Sequence, residues 1–312
     1  MLPRPIEYTN FRCNEFISVK RKYGAPLYLQ RGPAGSIGKR KTMPSNVLEN
    51  KIAIVVGAGQ TPGSTMGNGR ATAIAFARAG ASVVAVDRDM ASAGETAGLI
   101  LAEGGQAMAV QADITSEAAI VAMVRQVMET HGRIDILHNN VGIAGAGGDA
   151  PVEDISVEAF DLLANLNLKG MMLTCKHVLP AMRAQRSGCV LNVASTAAYA
   201  LYPNVAYKAT KMGVLGLTQH IAMTYAEHGV RANAILPGLI DTPMAIEARV
   251  RLTGKPREQI VAERNAMVPL RGRMGTSWDV AHAAVFLASD QAGFITGVQL
   301  PVDGGALARL GP

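Results

Sequence analysis

From Lys51 onward, short β-rich apolar runs alternate with longer segments whose apolar residues recur at helical spacing. The run IAIVVG (52–57) carries no polar side chain and predicts a strand buried on both faces. GRATAIAFARAG (69–80) then predicts a helix stopped at Gly80, and SVVAVD (82–87) a second strand. QAMAVQAD (106–113) reads as the third strand, SEAAIVAMVRQVMETHG (116–132) as a helix opened by Ser116, and IDILHNNVG (134–142) as the fourth strand. The pattern continues with a long helix near 156–184, a fifth strand GCVLNVAS (188–195), a helix from about 205 to 228, and a sixth strand VRANAILPG (230–238). A helix DVAHAAVFLAS (279–289) and a last strand GVQLPVDGG (297–305) close the chain. Alternation on this scale predicts an α/β fold, a single doubly wound parallel sheet with right-handed crossovers and helices on both faces. No linker divides 43–312, so one domain is expected there.

Composition changes this picture mainly at the amino end. The chain has 312 residues, 49% of them hydrophobic and 17% charged, yet no apolar run approaches the ~20 residues of a membrane span. Residues 1–42 hold nine Lys/Arg against two Glu, which leaves 21 basic and 22 acidic residues for the remainder. The net charge of +6 therefore belongs to a leader, and the body offers no general attraction for nucleic acid. That leader lacks sustained periodicity and is expected to be an irregular basic extension. A compact domain can begin at Met43, so a start upstream of the natural one competes with a targeting peptide or a basic interaction arm. Cys13, Cys175 and Cys189 form neither a CxxC nor an even set, which fits a reducing, cytoplasmic setting, and the histidines show no metal-ligand spacing.

Chemistry enters at VVGAGQTPGSTMGNGRATA (55–73), a glycine-rich turn between a strand and a helix. Such a turn lets backbone N–H groups and a helix N-terminus approach a pyrophosphate. Asp87 ends the next strand, 18 positions after Gly69, where a carboxylate can accept hydrogen bonds from ribose hydroxyls. A carboxylate there repels a 2′-phosphate, so NAD is expected over NADP, with Arg88 next to it as the opposing feature. Two registers of the glycines stay open: Gly57 first with Gly67, Asn68 and Gly69 at the helix entry, or a turn beginning at Gly63. The first is preferred because the apolar strand ends at Gly57, and it makes 60–66 an outward bulge in which Pro62 has no N–H to offer.

With these residues in place the chain resembles the short-chain dehydrogenase/reductase family over roughly 45–308. The family pattern Thr-Gly-x-x-x-Gly-x-Gly is departed from by Val56 in the Thr position and by six surplus residues before Gly67. The resemblance implies a Rossmann-type sheet and further cofactor contacts at Asp113 and Ile114 in ADI, at Asn140 and Gly142 in NNVG, and at Pro237, Ile240 and Thr242 in PGLIDTPM. It also implies a homotetramer or homodimer built through the long helices near 156–184 and 205–228. His138, beside NNVG, is expected to be a structural strand residue.

The strongest chemical signal is YKATK, because Tyr207 and Lys211 at a spacing of four share one helix face. A phenol is a poor base near neutral pH, and a nearby ammonium and a positively charged nicotinamide would favour its phenolate. Tyr207 can then exchange the alcohol proton while hydride moves, and Lys211 would also hold the nicotinamide ribose. Ser195 precedes Tyr207 by 12 positions and can bond the substrate oxygen. The resemblance adds Asn167 of NLNLKG as the anchor of a water relay to the lysine, with Asn165 as the alternative. Tyr199 and Tyr202, which lack a Lys at +4, are assigned to the pocket wall.

Substrate information is expected in 143–155, 196–206 and 239–270, the last long enough to act as a lid. Its apolar residues favour a partly apolar ligand, and Arg249, Arg251 and Arg257 either meet an acidic group or form solvated helix faces. The expected function is NAD-linked interconversion of a small secondary alcohol and a ketone. A 3-oxoacyl-thioester reductase is the rival enzyme; a cofactor-sensing scaffold without turnover, or a nucleic-acid binder acting through the leader, are rivals of other classes. No metal and no membrane partner are expected.

Overall fold

A computed structural model describes residues 46–144 and 148–309. The leader at 1–42, the alternative start at Met43 and Cys13 lie outside the described residues.

Seven strands form one sheet: β1 (Ile52–Val56), β2 (Ser82–Asp87), β3 (Gln106–Gln111), β4 (Ile136–Asn139), β5 (Gly188–Val193), β6 (Val230–Pro237) and β7 (Gln299–Val302). Their order is β3-β2-β1-β4-β5-β6-β7 and every pairing is parallel. The order reverses direction between β1 and β4, and a crevice opens beyond the carboxyl ends of the strands at such a switch. The runs that read as continuously apolar are the central strands: Ala53, Ile54, Val55 and Val56 of β1 are all buried, with one face in each of two core layers.

The helices are α1 (Asn68–Arg78), α2 (Met90–Ala102), α3 (Glu117–His131), α4 (Val157–Ala164), α5 (Gly170–Gln185), α6 (Val205–Thr224), α7 (Pro243–Thr253), α8 (Arg257–Ala266) and α9 (Ser277–Ala288). Local chemistry sets their ends. Asp89, Ser116 and Ser156 each accept a first-turn N–H, Gly132 and Gly254 terminate α3 and α7 in the left-handed region, and Thr276 with Asp279 makes a capping box on α9.

Three differences from the sequence expectations have physical causes. The helix expected near 156–184 runs through both α4 and α5, but Asn165–Lys169 between them is a turn of π-helix. The helix expected to reach 228 ends at Thr224, and a 3₁₀ turn, Ala226–His228, leads to Gly229 at φ 70°. The segment 239–270 holds two helices, α7 started by Thr242 and Pro243 and α8 behind Pro256.

A buried polar network braces the centre of the sheet. Asn139 Nδ2 donates to Asn192 Oδ1 (2.9 Å), Thr174 Oγ1 donates to Asn139 Oδ1 (2.8 Å), and Asn192 Nδ2 donates to Thr218 Oγ1 (3.0 Å). Each member is paired, so β4, β5, α5 and α6 are held in one register without an orphaned amide.

Candidate active site

The crevice at the strand ends is a cleft of about 500 Å³ running from Asp87, past Gly57 and Asn140, to Ser195, Tyr207 and Thr242. Every residue expected from the sequence to bind a dinucleotide or catalyse, apart from Asn167, lines it.

At the glycine loop the chain turns out of β1 at Gly57 with φ +80°, and α1 begins at Asn68 behind Gly67. A Cβ on Gly69 would run into the Gly57 carbonyl oxygen, so strand end and helix start touch backbone to backbone. Asn140 Nδ2 donates to the same carbonyl (3.1 Å). Gly63 lies elsewhere, against Pro243 and Glu247 of α7, which sets aside the register beginning there.

The surplus residues are folded around one side chain. Gln60 Nε2 donates to the carbonyls of Thr65 (2.8 Å) and Thr61 (3.0 Å), while its Oε1 accepts from the Gly67 N–H (2.9 Å). Residues 61–64 are exposed, as a bulge should be, but Met66 turns inward and packs on the Ala71, Ala75 and Ala281 cluster. Thr65 Oγ1 points to Asp241 (3.5 Å) and not along the cleft; Thr61 and Pro62 line the cleft instead.

Asp87 is held by backbone donors: Oδ2 accepts from Gly59 (2.9 Å) and Oδ1 from Asp89 (3.1 Å). Arg88 is exposed at the cleft rim. Asp113 accepts from the N–H and hydroxyl of Thr115, and those bonds hold its carboxyl below the usual range. Buried Ile114 packs against Gly170, where a side chain would collide with it.

The catalytic candidates converge from three elements. Tyr207 is in the first turn of α6, whose N-terminus is capped from a distance: Asp149 Oδ1 and Oδ2 accept from the N–H groups of Ala206 (3.0 Å) and Tyr207 (3.1 Å). Burial pushes the Tyr207 phenol up to about 12, against the Ser195 hydroxyl, which pulls it down by hydrogen bonding. Lys211 is 2% exposed, donates to the Val193 carbonyl (2.9 Å), and is pushed down to about 8 by burial. Its Nζ is 5.8 Å from the Tyr207 ring centre. Burial is the largest influence on both groups, moving the phenol up and the ammonium down.

Asn167 sits on the π-turn, fully buried, with Oδ1 accepting from the Ile143 N–H (2.8 Å) and Nδ2 donating to the Ile143 carbonyl (3.0 Å). The wider turn swings this side chain toward the tail of β4. A Cβ on Gly142 would come within 2.9 Å of Lys211 Nζ, so this glycine gives the lysine its room. Asn165 has no such partner among the described residues, where its Oδ1 is buried and unpaired.

The short Ser195–Tyr207 connection is pinned by Lys208, a residue sequence reasoning passed over, whose Nζ donates to the carbonyls of Ala197 (3.3 Å), Ala198 (3.2 Å) and Ala200 (2.7 Å). Tyr202 stands against Tyr207 with ring centres 5.4 Å apart, behind the phenol and not among the residues that line the cleft. Tyr199 also departs from the pocket wall expected of it: it is half exposed and bonds Gln299 on β7, because the turn at Thr196–Ala198 sends it to the sheet's edge. Of the arginines weighed for an acidic ligand, Arg251 is exposed and Arg257 is bound by Asp241 (2.9 Å) and Glu247 (3.3 Å). The charges of Arg249 and the unforeseen Arg264 each favour the phenolate of Tyr202, against burial, which raises it.

The donor set fits a dinucleotide: a backbone turn into a helix N-terminus, where Gln60 Oε1 already takes the Gly67 N–H, a fixed carboxylate at the end of β2, and a lysine and phenol at the other end of one cleft.

The family model described as enoyl-(acyl carrier protein) reductase matches residues 63–306. Levodione reductase of Leifsonia aquatica is 35% identical over 268 residues, covering 85% of this chain and 97% of its own. 2-(R)-Hydroxypropyl-CoM dehydrogenase of Xanthobacter autotrophicus is 36% identical over 258 residues, covering 82% and 98%. The crystal structure of a levodione reductase superposes with a TM-score of 0.78 at 33% identity, covering 84% of this chain and 99% of that one. Sheet order, cleft and these relatives agree: the chain is an oxidoreductase of the short-chain dehydrogenase/reductase family, which works with nicotinamide cofactors.

Proposed function

We propose that this enzyme interconverts a secondary alcohol and a ketone with NAD, Tyr207 exchanging the substrate proton. The observation that carries the reading is the convergence of Ser195, Tyr207 and Lys211 on one end of the cleft, with Asp87 at the other. The named activities of levodione reductase and the hydroxypropyl-CoM dehydrogenase point the same way.

In this reading Ser195 holds the substrate oxygen next to the Tyr207 hydroxyl. Bound nicotinamide supplies the hydride acceptor and, when oxidised, a positive charge that favours the phenolate. Lys211, charged only below about 8 in its buried setting, takes the ribose hydroxyls and passes the proton outward. Asn167 acts as a positioning residue, since both polar ends of its carboxamide hold Ile143. Gly57 and the helix entry at Gly67, Asn68 and Gly69 would take the pyrophosphate, Asp87 the adenosine ribose, Asp113 and Ile114 the adenine side, and Pro237, Ile240 and Thr242 the carboxamide. Preference for NAD is supported by the Asp87 carboxylate, which backbone N–H groups fix in place. A reducing compartment is supported by Cys175 and Cys189, which are free and buried.

The test is Tyr207→Phe, assayed by NADH formation across secondary alcohols and by reduction of 3-oxoacyl thioesters. Turnover should fall by about a hundredfold or more, the usual worth of a positioned acid/base. NAD affinity should stay near that of the parent, and NAD should saturate at lower concentration than NADP. Full activity in the variant removes Tyr207 from the chemistry; activity confined to 3-oxoacyl thioesters assigns the enzyme to that reduction.

A further inference from the structure

We propose that Arg249 and Arg264 form a subsite for an anionic group on the substrate, so that the preferred substrates are secondary alcohols or ketones bearing a carboxylate or a similar oxyanion. The proposal rests on the oxidoreductase reading above and names its substrate class.

Arg264 lies on α8 with 8% of its surface exposed. A guanidinium at that depth needs partners, because stripping water from an unpaired charge costs several kcal/mol. Its Nε donates, among the described residues, only to Met274 Sδ (3.2 Å), a weak acceptor. Among the described residues its two terminal nitrogens make no hydrogen bond and no carboxylate lies within ion-pair distance; these nitrogens are not sealed from solvent, which leaves them open to a ligand. Arg70, buried to a similar depth, shows what a structural arginine has here: Glu95 at 2.6 Å, the Thr96 hydroxyl at 3.0 Å and the Ser92 carbonyl at 3.4 Å.

The second arginine makes the deficit larger. Arg249 is also without a carboxylate partner among the described residues, and one of its nitrogens donates to the Ala245 carbonyl (2.7 Å). Its charge adds to burial in disfavouring the protonated form of Arg264. Asp241 opposes that effect, but its carboxylate is committed to Arg257 at 2.9 Å.

The position of the pair separates it from the dinucleotide phosphates. Neither arginine lines the cofactor cleft, while Ala245, which anchors Arg249, and Met244 form its wall beside Thr242. The charges of both reach Tyr202, and that of Arg249 reaches Tyr207. Two guanidinium groups with spare donors, Arg249 held at Ala245 on the cleft wall, match the fork geometry by which arginine takes a carboxylate, sulfonate or phosphate. An anion placed there completes a charge balance that the protein alone leaves open.

The experiment pairs substrates that differ only in charge: 3-hydroxybutanoate, 4-hydroxypentanoate and 5-hydroxyhexanoate against 2-butanol, 2-pentanol and 2-hexanol, with NAD. The best hydroxy acid should exceed its neutral partner in kcat/KM by at least about tenfold. Arg264→Met should lower hydroxy-acid kcat/KM by about thirtyfold, mainly through KM, as expected for hydrogen bonds to a charged group. The loss for acids should exceed that for alcohols by at least about tenfold, and Arg264→Lys should recover part of it. Equal losses for acids and alcohols, or a wild-type preference for neutral alcohols at every length, overturn the subsite. Thermal unfolding of the NAD-loaded protein gives a reading independent of turnover. Butanoate and sulfate should raise the Tm of wild type more than that of Arg264→Met, and equal shifts overturn the subsite. Absence of turnover with every compound, alongside that differential stabilisation, overturns the alcohol-dehydrogenase reading and leaves the anion subsite standing.

Discussion

His138 lies at the centre of β4, fully buried, edge-on to Phe76 at 5.9 Å between ring centres, and neither ring nitrogen has a hydrogen-bond partner among the described residues. Burial pushes it down to about 3, so it is neutral throughout the working pH range. The unfolded chain, with an ordinary imidazole near 6.5, takes up a proton that the folded one refuses. Stability is therefore retained above about 6.5 and drains away as pH falls toward 3, by up to about 1.4 kcal/mol per unit. His138→Leu should remove about 2 kcal/mol of the loss that wild type suffers between pH 7 and pH 5, read as the difference in urea-unfolding free energy. The structural role of this histidine was legible from its place in an apolar strand. Arg264 was not, because an arginine on a polar helix carries no sign in the sequence of which face turns inward. Tyr199 and Tyr202 make the same point: two tyrosines three apart looked alike until the turn at Thr196 sent one to Gln299 and the other to Tyr207.

The element that presents the reactive phenol owes its start to a remote carboxylate. Asn204, in the capping position of α6, makes no side-chain cap, and Asp149 serves the first-turn N–H groups from another loop. The local sequence could not show this, since capping patterns are read from adjacent residues. Asp149→Ala should cost about 1 kcal/mol in chemical denaturation, the usual worth of a cap. It should also lower kcat more than it weakens NAD binding, because the unsupported turn carries Tyr207 and not the pyrophosphate contacts. The π-turn before α5 was equally hidden: its side-chain pattern continues that of α4, and only the placement of Asn167 beside Ile143 shows why the wider turn is there.

Across the whole molecule, the β/α alternation was legible because parallel strands buried on both faces leave unbroken apolar runs. The cleft followed from the switch in strand order. The segment 239–270 was legible only as something long. Its two helices bury few residues of their own, with Ile246, Ile260, Val268 and Met274 forming a small separate cluster. That modest packing makes the cluster's neighbours matter. The surplus glycine-loop residues meet α7 and the residues leading into it: Gly63 abuts Pro243 and Glu247, and Thr65 reaches Asp241, which Arg257 ties to α8. A nicotinamide cofactor that settles the glycine loop should thus slow amide hydrogen exchange in 60–67 and, in the same step, along 243–266. Loss of the coupling in Arg257→Met, with slowed exchange confined to the loop, is the expected control. Gln60 then takes on a second meaning. A side chain that ties off an insertion also keeps it from slackening, and a taut insertion is what lets one binding event be felt at a distance as a change in the cost of opening another part of the chain.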